Sequence, residues 1–382
     1  MRSKAFSPPS APNPMPPANN PHSPRPKHYP YPRLMIAKRP LLIAFLLLGC
    51  LVARAATDIP KGNVVTVSIH SRHLENTMGE NPERAVSVYL PPGYETSGQR
   101  YPVIYFLHGF TGDNRMLAYI SPLLDRAIAT HRIRPFIMVI PDHKTTYDGS
   151  FYSNSGLFGN WEDFTVQDVV VYVDRHFRTL AVPGSRGITG HSMGGYGAFL
   201  LAMKHPDVFS TVYALSPGAL AIVREYGPNS DTYRELHKFT SMEDLGKTYF
   251  GKVVVAFGRS WSPNPNKPPF YCDLPFDFST GQLVVNEEAL RKWQANMPLY
   301  MIDDYRENLL KLRAIKFDWG RNAGERFTIQ CDMFSQRLEN AGITHFAEEY
   351  IGTHTSDIYT PEGRLPQQML PFFDYYLDFE GK

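Results

Sequence analysis

Only three cysteines, Cys50, Cys272 and Cys331, occur in the 382 residues, so a disulfide scaffold is excluded, and we expect Cys272 and Cys331 to be unpaired thiols. The sequence has no C-x-x-C or H-E-x-x-H motif, and no other pattern in it points to a metal or a cofactor. The longest apolar run, residues 41–52, is too short for a comfortable membrane span. The formal net charge is only +2, and no basic face is apparent, which disfavours nucleic-acid binding.

The N-terminal residues differ in composition from the rest of the chain. Eleven of the 33 prolines lie within the first 33 residues, between Ser, Asn and Arg residues, and such a segment is expected to be disordered. Residues 1–55 also contain eight of the 39 Lys and Arg residues and no Asp or Glu, so the remaining chain is mildly acidic. Residues 1–34 are therefore interpreted as a disordered Pro-rich extension.

Residues 35–55 have the three parts of a secretory signal peptide. Lys38-Arg39 is the basic part, residues 41–52 are the apolar part, and Ala53-Arg54-Ala55 is an A-x-A cleavage site. The sequence therefore predicts an exported protein, periplasmic or secreted, with no stable membrane span after cleavage. An uncleaved signal anchor is the alternative.

Two further interpretations of this region stay open. Signal peptides begin close to the N-terminus, so Met35 is a candidate for the true start, and residues 1–34 would then be a misassigned extension. Leu47-Leu48-Gly49-Cys50 resembles a lipoprotein cleavage box, although the apolar Leu51-Val52 after the cysteine disfavours that reading.

Beyond residue 56, predicted strands and helices alternate along the chain. Predicted strands cover Val64–His70, Ala85–Leu90, Val103–Leu107, Phe136–Ile140, Arg186–Thr189, Thr211–Leu215, Ala314–Trp319 and His345–Ile351. Predicted helices cover Met116–Thr130, Phe164–Phe177, Gly195–Met203, Phe327–Asn340 and Pro366–Phe379. This alternation predicts an α/β domain over residues 56–382, with a mostly parallel central sheet and helices on both faces.

The most informative motif is Gly190-His191-Ser192-Met193-Gly194, which lies between a predicted strand and a predicted helix. A serine in a G-x-S-x-G turn of this kind holds its hydroxyl clear of the backbone, as a nucleophile does. The amide of Met193 then lies at a helix N-terminus, where it can stabilise an oxyanion. The second oxyanion donor is predicted to be the amide of Phe110, in the His108-Gly109-Phe110 turn after a central strand.

A serine nucleophile needs a histidine base and an acid that orients it. In this architecture they follow in the order serine, acid, histidine. His354 follows the last predicted strand and is the predicted base. Glu325, in the loop after the strand 314–319, is the predicted acid. Asp318 is its rival, but it lies within that strand, where a structural role is expected.

Residues 222–313 interrupt the alternation and contain a turn-rich segment with Trp261, Phe270 and Tyr271. Long insertions of this kind are commonly functional, so it is predicted to be a cap that lines the substrate pocket. Its aromatic residues are predicted to be substrate-binding, with Trp161 as the opposite wall. The alternative is an insertion that only packs against an outer face.

Together these motifs resemble the esterase D family of α/β-hydrolases, which includes S-formylglutathione hydrolases, feruloyl and acetylxylan esterases, enterochelin esterases and mycolyltransferases. The resemblance covers roughly residues 62–379 without the insertion and is carried by residues 88–94, 107–109, 190–198, 204–209 and 352–354. Relatives usually have an aspartate a few residues after the strand glycine, whereas here Gly320 is followed by Arg-Asn-Ala-Gly-Glu.

The resemblance implies an α/β-hydrolase fold and a serine esterase that forms an acyl-enzyme. Export fits carbohydrate, phenolic or similar small esters, free or linked to a polysaccharide, better than a cytosolic thioester. An acyltransferase with the same residues and a non-catalytic ligand-binding protein on a hydrolase scaffold are the alternatives.

Overall fold

The structure, a computed structural model, describes residues 59–76 and 78–380. The predicted Pro-rich extension, the signal peptide and Cys50 lie outside these residues. Among the helices of the described residues, none combines the length and the hydropathy that a membrane span requires.

The centre of the fold is an eight-stranded, mostly parallel sheet. Its strands are β1 Asn63–His70, β2 Glu83–Leu90, β3 Val103–Leu107, β4 Ile137–Pro141, β5 Arg186–His191, β6 Thr211–Leu215, β7 Ala314–Gly320 and β8 Phe346–Tyr350. Their order across the sheet is β1-β2-β4-β3-β5-β6-β7-β8, and β2 runs opposite to the other seven strands. The predicted fold class is confirmed, and each predicted strand is present within about two residues.

Helices cover both faces of this sheet, and further helices lie in the insertion after β6. They are α1 Tyr94–Ser97, α2 Leu117–Ala129, α3 Trp161–Asp163, α4 Val170–His176, α5 Met193–Lys204, α6 Asp231–Leu236, α7 Met242–Gly246, α8 Tyr249–Trp261, α9 Glu287–Gln294, α10 Pro298–Met301, α11 Arg306–Leu309, α12 Glu325–Asn340 and α13 Leu370–Tyr376. The π-helical turns Phe164–Val169 and Leu365–Met369 lead into α4 and α13.

Alternate side chains of the central strands enter two separate apolar cores. On β3, Val103, Tyr105 and Leu107 belong to one core, and Ile104 and Phe106 belong to the other. Successive residues of a strand point to opposite faces, so a strand that is apolar throughout requires cover on both sides. Helices α5, α8 and α12 contribute to the first core, and α2 and α13 contribute to the second.

The insertion at 222–313 is largely helical. It contains α6 to α11 and a short hairpin of Phe276–Asp277 with Val284–Val285. Its longest helix, α8, begins after Thr248, whose side chain accepts a hydrogen bond from the Gly251 amide at 3.3 Å. The insertion follows β6, so it leaves the sheet at the edge where β5 also ends.

Cys272 and Cys331 are both free and buried, as the sequence predicted for unpaired thiols. Burial raises the pKa of the Cys272 thiol to about 12. Because the thiolate is the reactive form, burial disfavours Cys272 as a nucleophile at neutral pH.

Candidate active site

Ser192 occupies a strained turn between β5 and α5, with φ 59° and ψ −114°. A Cβ atom at Gly194 would lie 1.9 Å from the Leu107 carbonyl oxygen, and one at Gly190 would lie 2.5 Å from the same atom. Only glycine fits at these two positions, which explains the G-x-S-x-G spacing. The turn is held by the Ser192 amide, which donates to Leu215 O at 3.1 Å, and by the Gly218 amide, which donates to Ser192 O at 3.1 Å.

His354 reaches Ser192 from the loop after β8. Its Nε2 lies 2.8 Å from Ser192 Oγ. Strands β8 and β5 are three positions apart in the sheet, so this loop must cross about 14 Å over the ends of β6 and β7. The loop is fixed by Tyr350 Oη, which donates to Thr353 O at 2.8 Å, and by Ser356 Oγ, which accepts from the Thr353 amide at 2.9 Å.

Two further contacts hold His354. The Phe327 ring stacks on its imidazole, with 3.8 Å between centroids and 19° between planes. His191 Nε2 donates to the carbonyl oxygen of His354 at 3.0 Å. The buried Nδ1 of His354 has no hydrogen-bond partner within the described part of the chain.

Neither predicted acid contacts the imidazole of His354. Glu325 is the first residue of α12, and its carboxylate lies 2.5 Å from the guanidinium of Arg224 at the start of the insertion. The Glu325 side chain is 68% exposed. Its role as the acid therefore stays a prediction that would require a different side-chain arrangement.

Asp318 is buried on β7 and accepts hydrogen bonds from the Ser216 amide at 3.1 Å and from Tyr213 Oη at 2.9 Å. It also forms an ion pair with Arg364, which donates in turn to Ser356 O at 3.3 Å. This network ties the turn after β6 to the loop that carries His354. These contacts occupy the Asp318 carboxylate, and its role as the rival acid stays a prediction.

The two predicted oxyanion donors lie on the same cavity as Ser192 and His354. Met193 is the first residue of α5, where a backbone amide has no acceptor within its own helix. The turn that carries Phe110 is fixed by the Thr111 amide, which donates to Asp148 O at 3.1 Å, and by the Gly112 amide, which donates to Gly109 O at 3.0 Å. Their role in oxyanion binding stays a prediction.

A cavity of about 240 Å³ opens beside Ser192 and His354. The rest of its wall is mostly apolar and aromatic, and is formed by Phe110, Phe151, Met193, Gly218, Ala219, Tyr226, Tyr249, Phe250, Val253, Phe257, Arg326 and Phe327. Tyr226 and the four residues from α8 belong to the insertion, so the insertion does line the cavity. Its volume is below the range typical of sites for drug-sized ligands and suits a small ester.

The structure does not bring the four predicted wall residues to this cavity. Trp261 is buried behind it, with its ring stacked 4.5 Å from Phe257 and its indole N–H donating to Ser153 Oγ at 3.0 Å. Trp161 is also buried, and its indole N–H donates to Phe158 O at 3.0 Å. Phe270 and Tyr271 lie in the loop after α8, away from the cavity wall.

The aromatic residues that do form the wall, apart from Phe110, were not predicted from the sequence. Tyr249, Phe250, Val253 and Phe257 share one face of α8, and their helical spacing after the cap residue Thr248 was the available signal. Phe327 gave no comparable signal, because its role depends on where α12 begins. Among the described residues, no three His, Cys, Asp or Glu side chains are grouped as metal ligands would be.

Burial keeps both histidines of the site neutral. Burial, together with the neighbouring His191, Arg326 and Arg364, lowers the pKa of His354 to about 2, and burial lowers the pKa of His191 to about 4. A neutral imidazole can accept the proton of a serine hydroxyl, whereas an imidazolium cannot. The arrangement therefore provides a hydroxyl, an unprotonated base and adjacent amides at the end of a small apolar cavity.

We expect kcat/KM for ester hydrolysis to stay high at least about one pH unit below 6.5, the ordinary pKa of histidine, because His354 remains unprotonated there. The free energy of unfolding should fall as pH decreases below 6.5. In that range the histidines of the unfolded chain bind protons, whereas the buried histidines of the folded chain stay neutral. Initial rates and melting temperatures recorded together from pH 4 to 8 separate the two effects. A rate that falls with a midpoint at or above pH 6.5, at constant melting temperature, would contradict the expectation.

The sheet order, the strained serine turn and the histidine after the last strand define an α/β-hydrolase. Residues 76–362 match the sequence model of the Esterase family, and the chain belongs to that family.

Among its relatives, the chain is 34% identical over 293 residues to Esterase Rv1288 of Mycobacterium tuberculosis, covering 74% of this chain and 54% of that protein. It thus spans about half the length of the curated relatives it matches first. It is 31% identical over 170 residues to an endo-1,4-beta-xylanase/feruloyl esterase of Xylanibacter ruminicola, covering 42% of this chain and 22% of that protein.

Solved structures share the fold. A ferulic acid esterase superposes with a TM-score of 0.56 at 22% identity, covering 83% of this chain and 99% of the other. An S-formylglutathione hydrolase from Agrobacterium tumefaciens superposes with a TM-score of 0.53 at 16% identity, covering 84% and 97%.

Proposed function

We propose that the protein is an exported serine esterase that hydrolyses small carboxylic esters through an acyl-enzyme on Ser192. The observation that carries the proposal is the 2.8 Å contact between Ser192 Oγ and His354 Nε2 at a strained turn beside an apolar cavity. Membership of the Esterase family supports the reaction class. The signal-like residues 35–55 support export.

In this mechanism Ser192 Oγ attacks the ester carbonyl while His354 Nε2 takes the hydroxyl proton. The amides of Phe110 and Met193 donate to the carbonyl oxygen as it becomes negative. His354 then gives its proton to the leaving alkoxide, and the acyl group stays on Ser192. A water molecule, deprotonated by His354, attacks the acyl-enzyme, and His354 returns that proton to Ser192 Oγ as the acid is released.

The aromatic wall favours esters with a flat apolar part, such as phenolic esters. Tyr249, Phe250, Phe257 and Phe327 present aromatic rings to the cavity, and rings of this kind bury flat apolar groups at a low cost in entropy. One relative is named a feruloyl esterase and one fold neighbour a ferulic acid esterase, which is consistent with this substrate class.

Covalent labelling with a fluorophosphonate tests the proposal. We expect one phosphonyl group per chain, on the peptide that contains Ser192, and loss of p-nitrophenyl acetate hydrolysis in proportion to labelling. Hydrolysis that persists after complete labelling, or absence of labelling, would point to a non-catalytic protein on a hydrolase scaffold. Product analysis with an added sugar alcohol separates hydrolysis, which releases free acid, from acyl transfer, which forms a new ester.

A further inference from the structure

We propose that Phe327 positions the imidazole of His354, so that Ser192 and His354 act as a pair without a carboxylate on Nδ1. This inference rests on the proposed function. The buried Nδ1 of His354 has no hydrogen-bond partner among the described residues. In Ser-His-acid enzymes this nitrogen is held by the acid, which fixes the tautomer and the plane of the ring.

Both candidate carboxylates are engaged elsewhere. Glu325 pairs with Arg224 at 2.5 Å and faces solvent, and Asp318 is enclosed by Ser216, Tyr213 and Arg364. Moving Asp318 to His354 would leave the Arg364 guanidinium buried without its counter-charge, which is costly. The structure therefore provides another means of fixing the ring.

The ring of His354 is fixed by the face of Phe327. Its ring lies parallel to the imidazole, at 3.8 Å and 19°, so it restricts rotation of His354 about its terminal side-chain torsion. Phe327 is itself buried, and its amide donates to Gly324 O at 3.0 Å in the first turn of α12. On its other side it approaches Gly218, the residue whose amide supports Ser192, with 3.5 Å between Phe327 Cε1 and the position a Gly218 Cβ would take.

The backbone of His354 is fixed separately by His191, whose Nε2–H donates to the His354 carbonyl at 3.0 Å. The ring and the backbone are thus both held, and Nε2 stays 2.8 Å from Ser192 Oγ. Proton transfer from Ser192 converts His354 to an imidazolium. Arg326 and Arg364 disfavour this cation. A cation stacked on an aromatic face is attracted by the ring quadrupole, so Phe327 offsets part of that cost.

The test is Phe327→Leu, with Phe250→Leu as the matched control. Both residues line the cavity, but of the two only Phe327 stacks on His354. We expect Phe327→Leu to lower kcat about 10- to 100-fold with a small change in KM, because a misplaced base slows the reaction without weakening substrate binding. Phe250→Leu should mainly raise KM, and Phe327→Tyr should restore kcat to within about threefold of wild type because it keeps the ring face.

Glu325→Gln separates this proposal from the sequence prediction. If Phe327 positions His354 without an acid, Glu325→Gln keeps kcat within about twofold, whereas loss of an orienting acid lowers kcat by orders of magnitude. A large loss in Glu325→Gln, or wild-type kcat in Phe327→Leu, overturns the proposal. If Phe327→Leu fails to fold, as judged by its melting temperature, Glu325→Gln still decides. Substantial hydrolysis by Ser192→Ala would instead refute the proposed function itself.

Discussion

A Ser192→Ala protein should fold like the wild type and hydrolyse p-nitrophenyl acetate at least about 10³-fold more slowly. The substitution removes only the oxygen that lies 2.8 Å from His354 Nε2. The Ser192 backbone bonds to Leu215 and Gly218 remain, so the turn itself should persist. The remaining activity would come from binding and from the oxyanion amides acting on water.

Steady-state rates and thermal unfolding of the purified full chain measure this prediction. Ser121→Ala is a suitable control, because Ser121 lies on α2 and its hydroxyl donates only to Ala118 O within that helix. The control should match the wild type in both rate and melting temperature. Wild-type turnover by Ser192→Ala would show that another group performs the hydrolysis.

The fold was predictable because its signals are local. The apolar strand Val103–Leu107 requires cover on both faces, and the alternation of strands with helices implies parallel order. The same applies to Ser192 and His354, whose positions follow from a glycine-bounded turn and from chain order. The carboxyl ends of the parallel strands β5 and β8 lie at the same edge of the sheet. Ser192 and His354 could therefore be predicted from local motifs and chain order alone.

The acid and the cavity wall depend on distant contacts. The position of the Glu325 carboxylate is set by Arg224, which lies about a hundred residues earlier, at the start of the insertion. The role of Phe327 depends on α12 beginning at Glu325, so that the ring turns toward His354. Aromatic composition alone could not distinguish a side chain that touches the substrate from one in the layer behind, and Trp261 belongs to that second layer.

Trp261→Ala should lower the free energy of unfolding by about 3–5 kcal/mol, as expected when a buried tryptophan is truncated. Trp261 is 5% exposed, its ring packs against Phe257, Phe151 and Trp293, and its indole N–H donates to Ser153 Oγ. Removal leaves a void under the cavity wall and takes one hydrogen bond from Ser153 Oγ, which keeps its bond to Phe151 O. Urea unfolding of both proteins measures the loss.

Tyr249→Ala is the matched control for this prediction, because Tyr249 lies on the same helix but is 56% exposed and lines the cavity. It should cost much less stability and should raise KM for bulky aryl esters more than for p-nitrophenyl acetate. The folded Trp261→Ala protein should show no such selectivity, because Phe257 and Phe151 stand between Trp261 and the substrate. If Trp261→Ala instead keeps wild-type stability and loses only bulky esters, then Trp261 is the pocket wall that its place in the sequence suggested.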